Sequence, residues 1–128
     1  MSSTLGVISS CSISRDQLVH FITSHGGKEG GILDGMISRG SKHVWLGLSN
    51  IELEFYEPSE LERIRTILGD EPKSNIVVEI RLTVDVDSKD LAAEVICALT
   101  KLWNCAIDNL NDHIYTADEF CALPRESI

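Results

Sequence analysis

Asn75–Val86 alternates without a break. Ile76, Val78, Ile80, Leu82, Val84 and Val86 fall on one side of an extended chain, and Val77, Glu79, Arg81, Thr83 and Asp85 on the other. Successive side chains of a strand point to opposite faces, so this stretch specifies a β-strand in a sheet with one buried and one wet face. Such a sheet needs an apolar cover, and the flanking sequence provides it at helical spacing. Leu91, Val95, Leu99 and Leu102, with Ala92 and Ala98 beside them, predict a helix from a Ser88 cap to about Trp103 that packs on the sheet.

The remaining elements follow from caps and turns. Thr4–Ile8 reads as a short strand. Ser14 and Gln17 form a capping box, and Leu18, Phe21 and Ile22 follow at helical spacing, which predicts a helix over 15–24. His25-Gly-Gly-Lys-Glu-Gly-Gly31 ends it as a loop, without the glycine–lysine order of a phosphate-binding loop. His43–Leu48 and Ile51–Tyr56 both alternate across Ser49-Asn50, which predicts a two-residue hairpin. Its register puts Val44, Leu46, Leu48, Ile51, Leu53 and Phe55 on the buried side and Trp45, Glu52, Glu54 and Tyr56 on the wet side. A second helix opens at Glu57-Pro58, with Ser59 and Glu62 as its capping box, Leu61, Ile64 and Leu68 as its inner stripe and Gly69 as its stop. Cys105–Leu110 reads as a last strand. Thr116 and Glu119 box a short terminal helix that ends before Pro124. The expected architecture is a single α+β domain over 1–128. It is a two-layer sandwich with a mainly antiparallel sheet, helices packed on one face and a ferredoxin-like order.

Charge narrows the partners. Eleven basic residues against twenty acids leave a formal net charge of −9. Residues 1–43 carry four basic groups and three acids, so the acidity belongs to residues 44–128, with seven basic groups against seventeen acids. A phosphate backbone or an anionic membrane repels such a surface, and a basic protein is its complement. The first residues have neither the basic start nor the apolar run of a signal peptide, so the expected location is cytoplasmic. The four cysteines, none in a C-x-x-C pair, are then expected to be reduced thiols.

Motifs that carry chemistry fail on spacing. Asp85-Val-Asp-Ser-Lys-Asp90 begins like a calcium loop, but Lys89, Asp90 and Ile96 occupy the positions that need oxygen, glycine and a bidentate glutamate. The four histidines and four cysteines include no ligand pair with zinc-finger spacing. No nucleophile is tied by a motif to a base and an orienting group, so neither enzyme, metal nor cofactor is expected.

The extended segment leading into Y-E-P-S-E-L-E-R-I (Tyr56–Ile64), the helix closing in K-L-W-N-C-A-I-D-N-L (Lys101–Leu110) and the run H-I-Y-T-A-D-E-F (His113–Phe120) together resemble a family. It is the small acidic immunity proteins encoded beside bacterial polymorphic toxins, including those of contact-dependent growth inhibition. The likeness covers residues 43–123 and lies in layout and short phrases. It implies a bacterial cytosolic protein that neutralises a cognate toxin, often a nuclease with a basic cleft, by binding it. No inhibitory motif carries over residue by residue. On the residues themselves, the expected partner-binding set is Glu52, Glu54 and Glu57 around the hairpin, Asp108 and Asp112 beyond the last strand, and the aromatics Trp45 and Tyr56. Two accounts of Trp45 stay open, an interface anchor or a side chain covered by 30–41. The alternative function is a regulatory or small-ligand-binding α+β domain that acts as a homodimer through its sheet.

Overall fold

The alternating stretch forms the middle strand of the sheet. A computed structural model of the chain describes residues 2–81, 88–111 and 113–124. Residues 82–86 of the alternating stretch, the Asp85–Asp87 start of the calcium-like segment and Asp112 lie outside the described residues. The strands are β1 (Ser2–Ser9), β2 (Lys28–Glu29), β3 (Gly35–Arg39), β4 (Lys42–Ser49), β5 (Ser74–Arg81), β6 (Cys105–Asp108) and β7 (Ile114–Thr116). They form one seven-stranded sheet in the order β2-β3-β4-β5-β1-β6-β7, antiparallel at every pairing. The helices are α1 (Arg15–Ser24), α2 (Pro58–Leu68), α3 (Lys89–Leu102) and α4 (Ala117–Cys121). The class is α+β. Its inner strands run β4-β5-β1-β6, so β1-α1-β4 and β5-α3-β6 are two interlocked split βαβ units. Among the described residues no helix is long and apolar enough to cross a membrane.

Strand parity distributes the core over both faces. Leu5, Val7, Val44, Leu46, Ile76, Val78, Ile80 and Ile107 point one way and pack with Leu18, Phe21 and Ile22 of α1, Leu91, Val95 and Leu99 of α3, and Phe120 of α4. Ile8 points the other way and joins Ala106, Ile114 and the α2 residues Ile64 and Leu68 in a second cluster. The helical layer is thus α1, α3 and α4, while α2 sits on the opposite face over β1, β6 and β7. That half of the opposite face is dry, and the half over β4 and β5 carries no helix among the described residues, only Leu33 over Gly47, with Trp45, Val77 and Glu79 half-buried.

Local signals predict several boundaries. Ser14 Oγ accepts from Gln17 N–H at 3.1 Å and Gln17 Oε1 from Ser14 N–H at 2.8 Å, which starts α1 at Arg15. Thr116 and Glu119 make the same reciprocal pair at α4, and Gly69 ends α2 at φ 71°. Other expectations are corrected. The 43–48/51–56 hairpin does not form, because β4 gives one edge to β3 and the other to β5, which leaves no edge for a third strand. Leu53–Phe55 is a 3-10 turn instead, and Phe55 is 77% exposed rather than buried. The capping box of α2 sits at Glu57 and Glu60, where Glu60 Oε1 accepts from Glu57 N–H at 2.9 Å, and not at Ser59 and Glu62. Ser88 precedes α3, but its hydroxyl accepts from His43 N–H at 3.3 Å and so ties the helix start to β4. Leu102 is 60% exposed, because α3 ends there and Trp103 packs inward in its place. The last strand splits at residues 109–113 into β6 and β7. Finally, two of the expected thiols are joined: Cys97 of α3 and Cys121 of α4 form a disulfide with their Cα atoms 5.9 Å apart.

Candidate functional site

The open part of the second sheet face ends in a cleft against the loop that leads into α2. Its floor is set by strand register. Asp108 closes β6 opposite Gly6 of β1, on the same side of the sheet as Ile8 and Ile114. Gly6 keeps that floor low: a Cβ there would lie 3.5 Å from Asn75 Oδ1, 3.7 Å from Asp108 Cβ and 3.8 Å from Leu110 Cδ2. Glu52, Phe55, Tyr56 and Glu60 rise on one side, and Leu110, Asn111 and His113 on the other, around a volume of about 370 Å³.

Each wall is held in place by identifiable contacts. Asp108 is only 6% exposed. Its Oδ1 accepts from Leu110 N–H at 2.8 Å, which draws the chain into a turn with Leu110 at φ 59°. Leu110 is left 56% exposed at the lip, facing solvent as Phe55 does across the cleft. Tyr56 packs against the α2 cluster and hydrogen-bonds Asp108 through its hydroxyl. Burial, reinforced by the negative charge of Asp108, pushes the Tyr56 phenol well above its ordinary value, so the hydroxyl keeps its proton and donates to the carboxylate. Asn75 Oδ1 is buried and has no hydrogen-bond partner.

The electrostatics are one-sided. Arg15 pairs with Glu29 and Asp34, Arg39 with Glu94, Lys42 with Asp90, Arg63 with Glu119 and Arg65 with Glu71. Among the described residues no lysine or arginine pairs with Glu52, Glu60 or Asp108. Glu52, Glu60 and Asp108 therefore line one cleft beside exposed Phe55 and Leu110, with Glu60 Oε1 accepting from Glu57 N–H and Asp108 Oδ1 from Leu110 N–H. Chemically this arrangement accepts hydrogen bonds and attracts cations. Among the described residues no group of three or more His, Cys, Asp or Glu is placed to hold a metal ion.

The residues singled out from sequence divide as follows. Glu52, Tyr56 and Asp108 meet in the cleft. Glu54 lies in the 3-10 turn, exposed but outside the lining, and Glu57 serves as the N-cap of α2. Trp45 is half-buried on the same face of the sheet, between Met36 of β3 and Glu79 of β5, with the His43 ring 5.9 Å away. Three interstrand spacings, about 14 Å, separate the β4 and β6 backbones. The segment 30–41 thus flanks Trp45 as a neighbouring strand, and its Leu33 lies over Gly47. Glu52, Glu54 and Tyr56 do not share a strand face with Trp45, because the hairpin that would align them is absent. The sequence pattern assigns Phe55 to the buried side of a hairpin and gives no site role to Leu110 and His113, which lie in irregular turns, or to Asn75 at the start of a strand. Against known proteins, the chain matches no family model, no curated protein and no solved structure.

Proposed function

We propose that this chain is a bacterial immunity protein that binds and neutralises a cognate toxin domain, a nuclease with a basic cleft, by forming a non-catalytic complex in the cytoplasm. The observation that carries the reading is the cleft, where unneutralised carboxylates sit beneath exposed Phe55 and Leu110 at the edge of an open sheet face. A charged recess with apolar lips is the anatomy of a protein-binding surface, with anchors for lifetime and charge for encounter. The net charge and the resemblance of residues 43–123 to immunity proteins support the same reading. The test is co-expression with the product of the adjacent gene, followed by affinity capture and a nuclease assay. A stoichiometric complex with suppressed nuclease activity is expected. A neighbour that encodes no toxin, or a pair that does not associate, overturns the reading.

A further inference from the structure

We propose that the Cys97–Cys121 bond is a redox-sensitive latch: closed, it ties the opening of β7 and α4 to movement of α3, and reduced, it lets them open alone while the rest of the sheet stays folded. The device goes beyond toxin binding and takes from that reading only the cytoplasmic setting. What the bond holds is short and peripheral. β7 is three residues long and lies at the sheet edge, paired with β6 across Ala106↔Thr116, Ile107↔Tyr115 and Asp108↔Ile114. α4 has five residues, far fewer than a helix needs to persist alone in water, and buries Phe120. The other ties are the Thr116–Glu119 capping box and Arg63, which donates to Ile114 O at 2.9 Å and pairs with Glu119 at 3.1 Å. Elements of this kind open at lower free energy than central strands. α3 is the opposite case, with Leu91, Val95, Ile96 and Leu99 buried in the main core. With Cys121 bonded to this helix, α4 cannot leave the layer unless α3 moves too.

Exposure makes the bond reachable. Cys97 and Cys121 are both half-buried, so a thiolate from solution can approach them, whereas Cys105 is buried. A cytoplasmic protein meets such thiolates continually, and bonds there are transient and redox-sensing rather than permanent. Charges beside the two sulfurs set the direction of attack. Lys101 follows Cys97 by one turn of α3, and Asp118 precedes Cys121 by one turn of α4. The cation favours a thiolate at Cys97 and the acid disfavours one at Cys121, so Cys97 is the better leaving group. One thiolate of a small dithiol attacks Cys121 Sγ. The Cys97–Cys121 bond breaks, and its electron pair goes to Cys97 Sγ, which takes up a proton. The dithiol's second thiolate then displaces Cys121 from the mixed disulfide, and Cys121 Sγ takes up the second proton. The chain has gained two electrons and two protons, both from the dithiol, which leaves as a cyclic disulfide. In the other direction oxidised glutathione closes the bond and leaves as two molecules of glutathione. The two Cα atoms are 5.9 Å apart, a separation that suits the bond, so closing it needs no rearranged backbone.

The experiment is amide hydrogen exchange of the ¹⁵N-labelled chain at several low denaturant concentrations, with the bond closed by oxidised glutathione or opened by dithiothreitol. The amides of β7 and α4 are compared with those of Val7 and Val78 in the central strands. On reduction the first set is expected to exchange about tenfold or more faster relative to the second, and to lose its denaturant dependence, the mark of a local opening. Cys97→Ser and Cys121→Ser are each expected to show the reduced pattern in either reagent, and Cys11→Ser to respond as wild type does. Brief treatment of the oxidised chain with glutathione, a monothiol, followed by alkylation and peptide mass spectrometry, is expected to find glutathione on Cys121. Equal acceleration of both sets, which a purely global effect of the bond gives, overturns the proposal. So does a bond that dithiothreitol opens only when the chain unfolds, or glutathione captured on Cys97. Failures of the two readings separate cleanly. Equal acceleration removes the latch and leaves toxin binding as it stands, whereas a failed co-expression test leaves the exchange pattern as it stands.

Discussion

Cys105 and Cys11 are the two free thiols, and their surroundings give them different chemistry. Cys105 is buried at the start of β6, and that burial pushes its thiol up to about 12, only partly offset by a hydrogen bond with Ser9. Cys11 is half-buried. Iodoacetamide at about pH 8 is therefore expected to label Cys11 in the native protein and Cys105 only after unfolding, with mass spectrometry as the readout. The same shift has a sign for stability. Between the ordinary thiol value of 9.0 and about 12 the unfolded chain holds fewer protons than the folded one, so stability falls as pH rises through that window. Cys105→Ala is expected to flatten this alkaline limb in urea unfolding. Residue identity was more legible in the sequence than residue environment. Asp108 and Tyr56 stand out as an acid and an aromatic in an acidic region, but Asp108 is buried. Its place beneath Tyr56 depends on a contact between residues 52 positions apart that no local pattern encodes.

The caps at Ser14 and Thr116 and the stop at Gly69 were legible because each is satisfied within one turn of chain, whereas the caps expected at Ser59 and Ser88 were displaced, the first to Glu57 and the second by a bond to β4. Partnerships between strands were not legible. The alternation of Ile51–Tyr56 meets every local criterion for a strand, yet β4 pairs instead with β3 through the Gly40-Ser41 turn, where Gly40 takes φ 62°. An arginine–glycine–serine–lysine run flanked by Met36-Ile37 and Val44-Trp45 is itself a hairpin signal, and it competes with Ser49-Asn50 for the same strand. The long-range bond between α3 and α4 was equally invisible, since cysteines 24 residues apart become neighbours only after the sheet forms. That bond closes a loop containing β6, β7 and one wall of the cleft. Cys97→Ser is expected to cost about 2–4 kcal/mol by the loop-entropy argument, read as a lower midpoint in denaturant. The fold itself is expected to persist. Phe120 remains buried in the core and Arg63 still bonds Ile114 O at 2.9 Å and Glu119 at 3.1 Å, so far-UV circular dichroism should change little.

For the whole molecule, the proposed binding divides between a net charge of −9, which would steer a basic partner before contact, and the cleft, which would hold it afterwards. The α+β class follows from alternating and helical periods read together, whereas the placement of α2 on the second face does not. Ile64 and Leu68 specify an apolar stripe without saying which side of the sheet it meets. That placement makes the half-face without a helix and its cleft, and it leads to a kinetic prediction for the proposed complex with a toxin. Glu52 and Glu54 are exposed, so their field on an approaching basic partner is screened over about 8 Å at physiological salt. Glu52→Ala/Glu54→Ala is expected to slow association at low salt and to approach wild-type rates at high salt. Trp45 is half-buried on the open face, and its truncation removes a large apolar contact without changing charge. Trp45→Ala is expected to leave the salt dependence intact and to speed dissociation, by roughly 2 kcal/mol or more if Trp45 is an anchor. Stopped-flow or surface-plasmon kinetics at two salt concentrations, on variants first shown to be folded, separate the two effects. Wild-type kinetics in both would take the toxin off this half of the sheet, and the apolar groove between α1 and the end of α3, where Leu102 is exposed beside Phe21 and Trp103, would become the surface to mutate next.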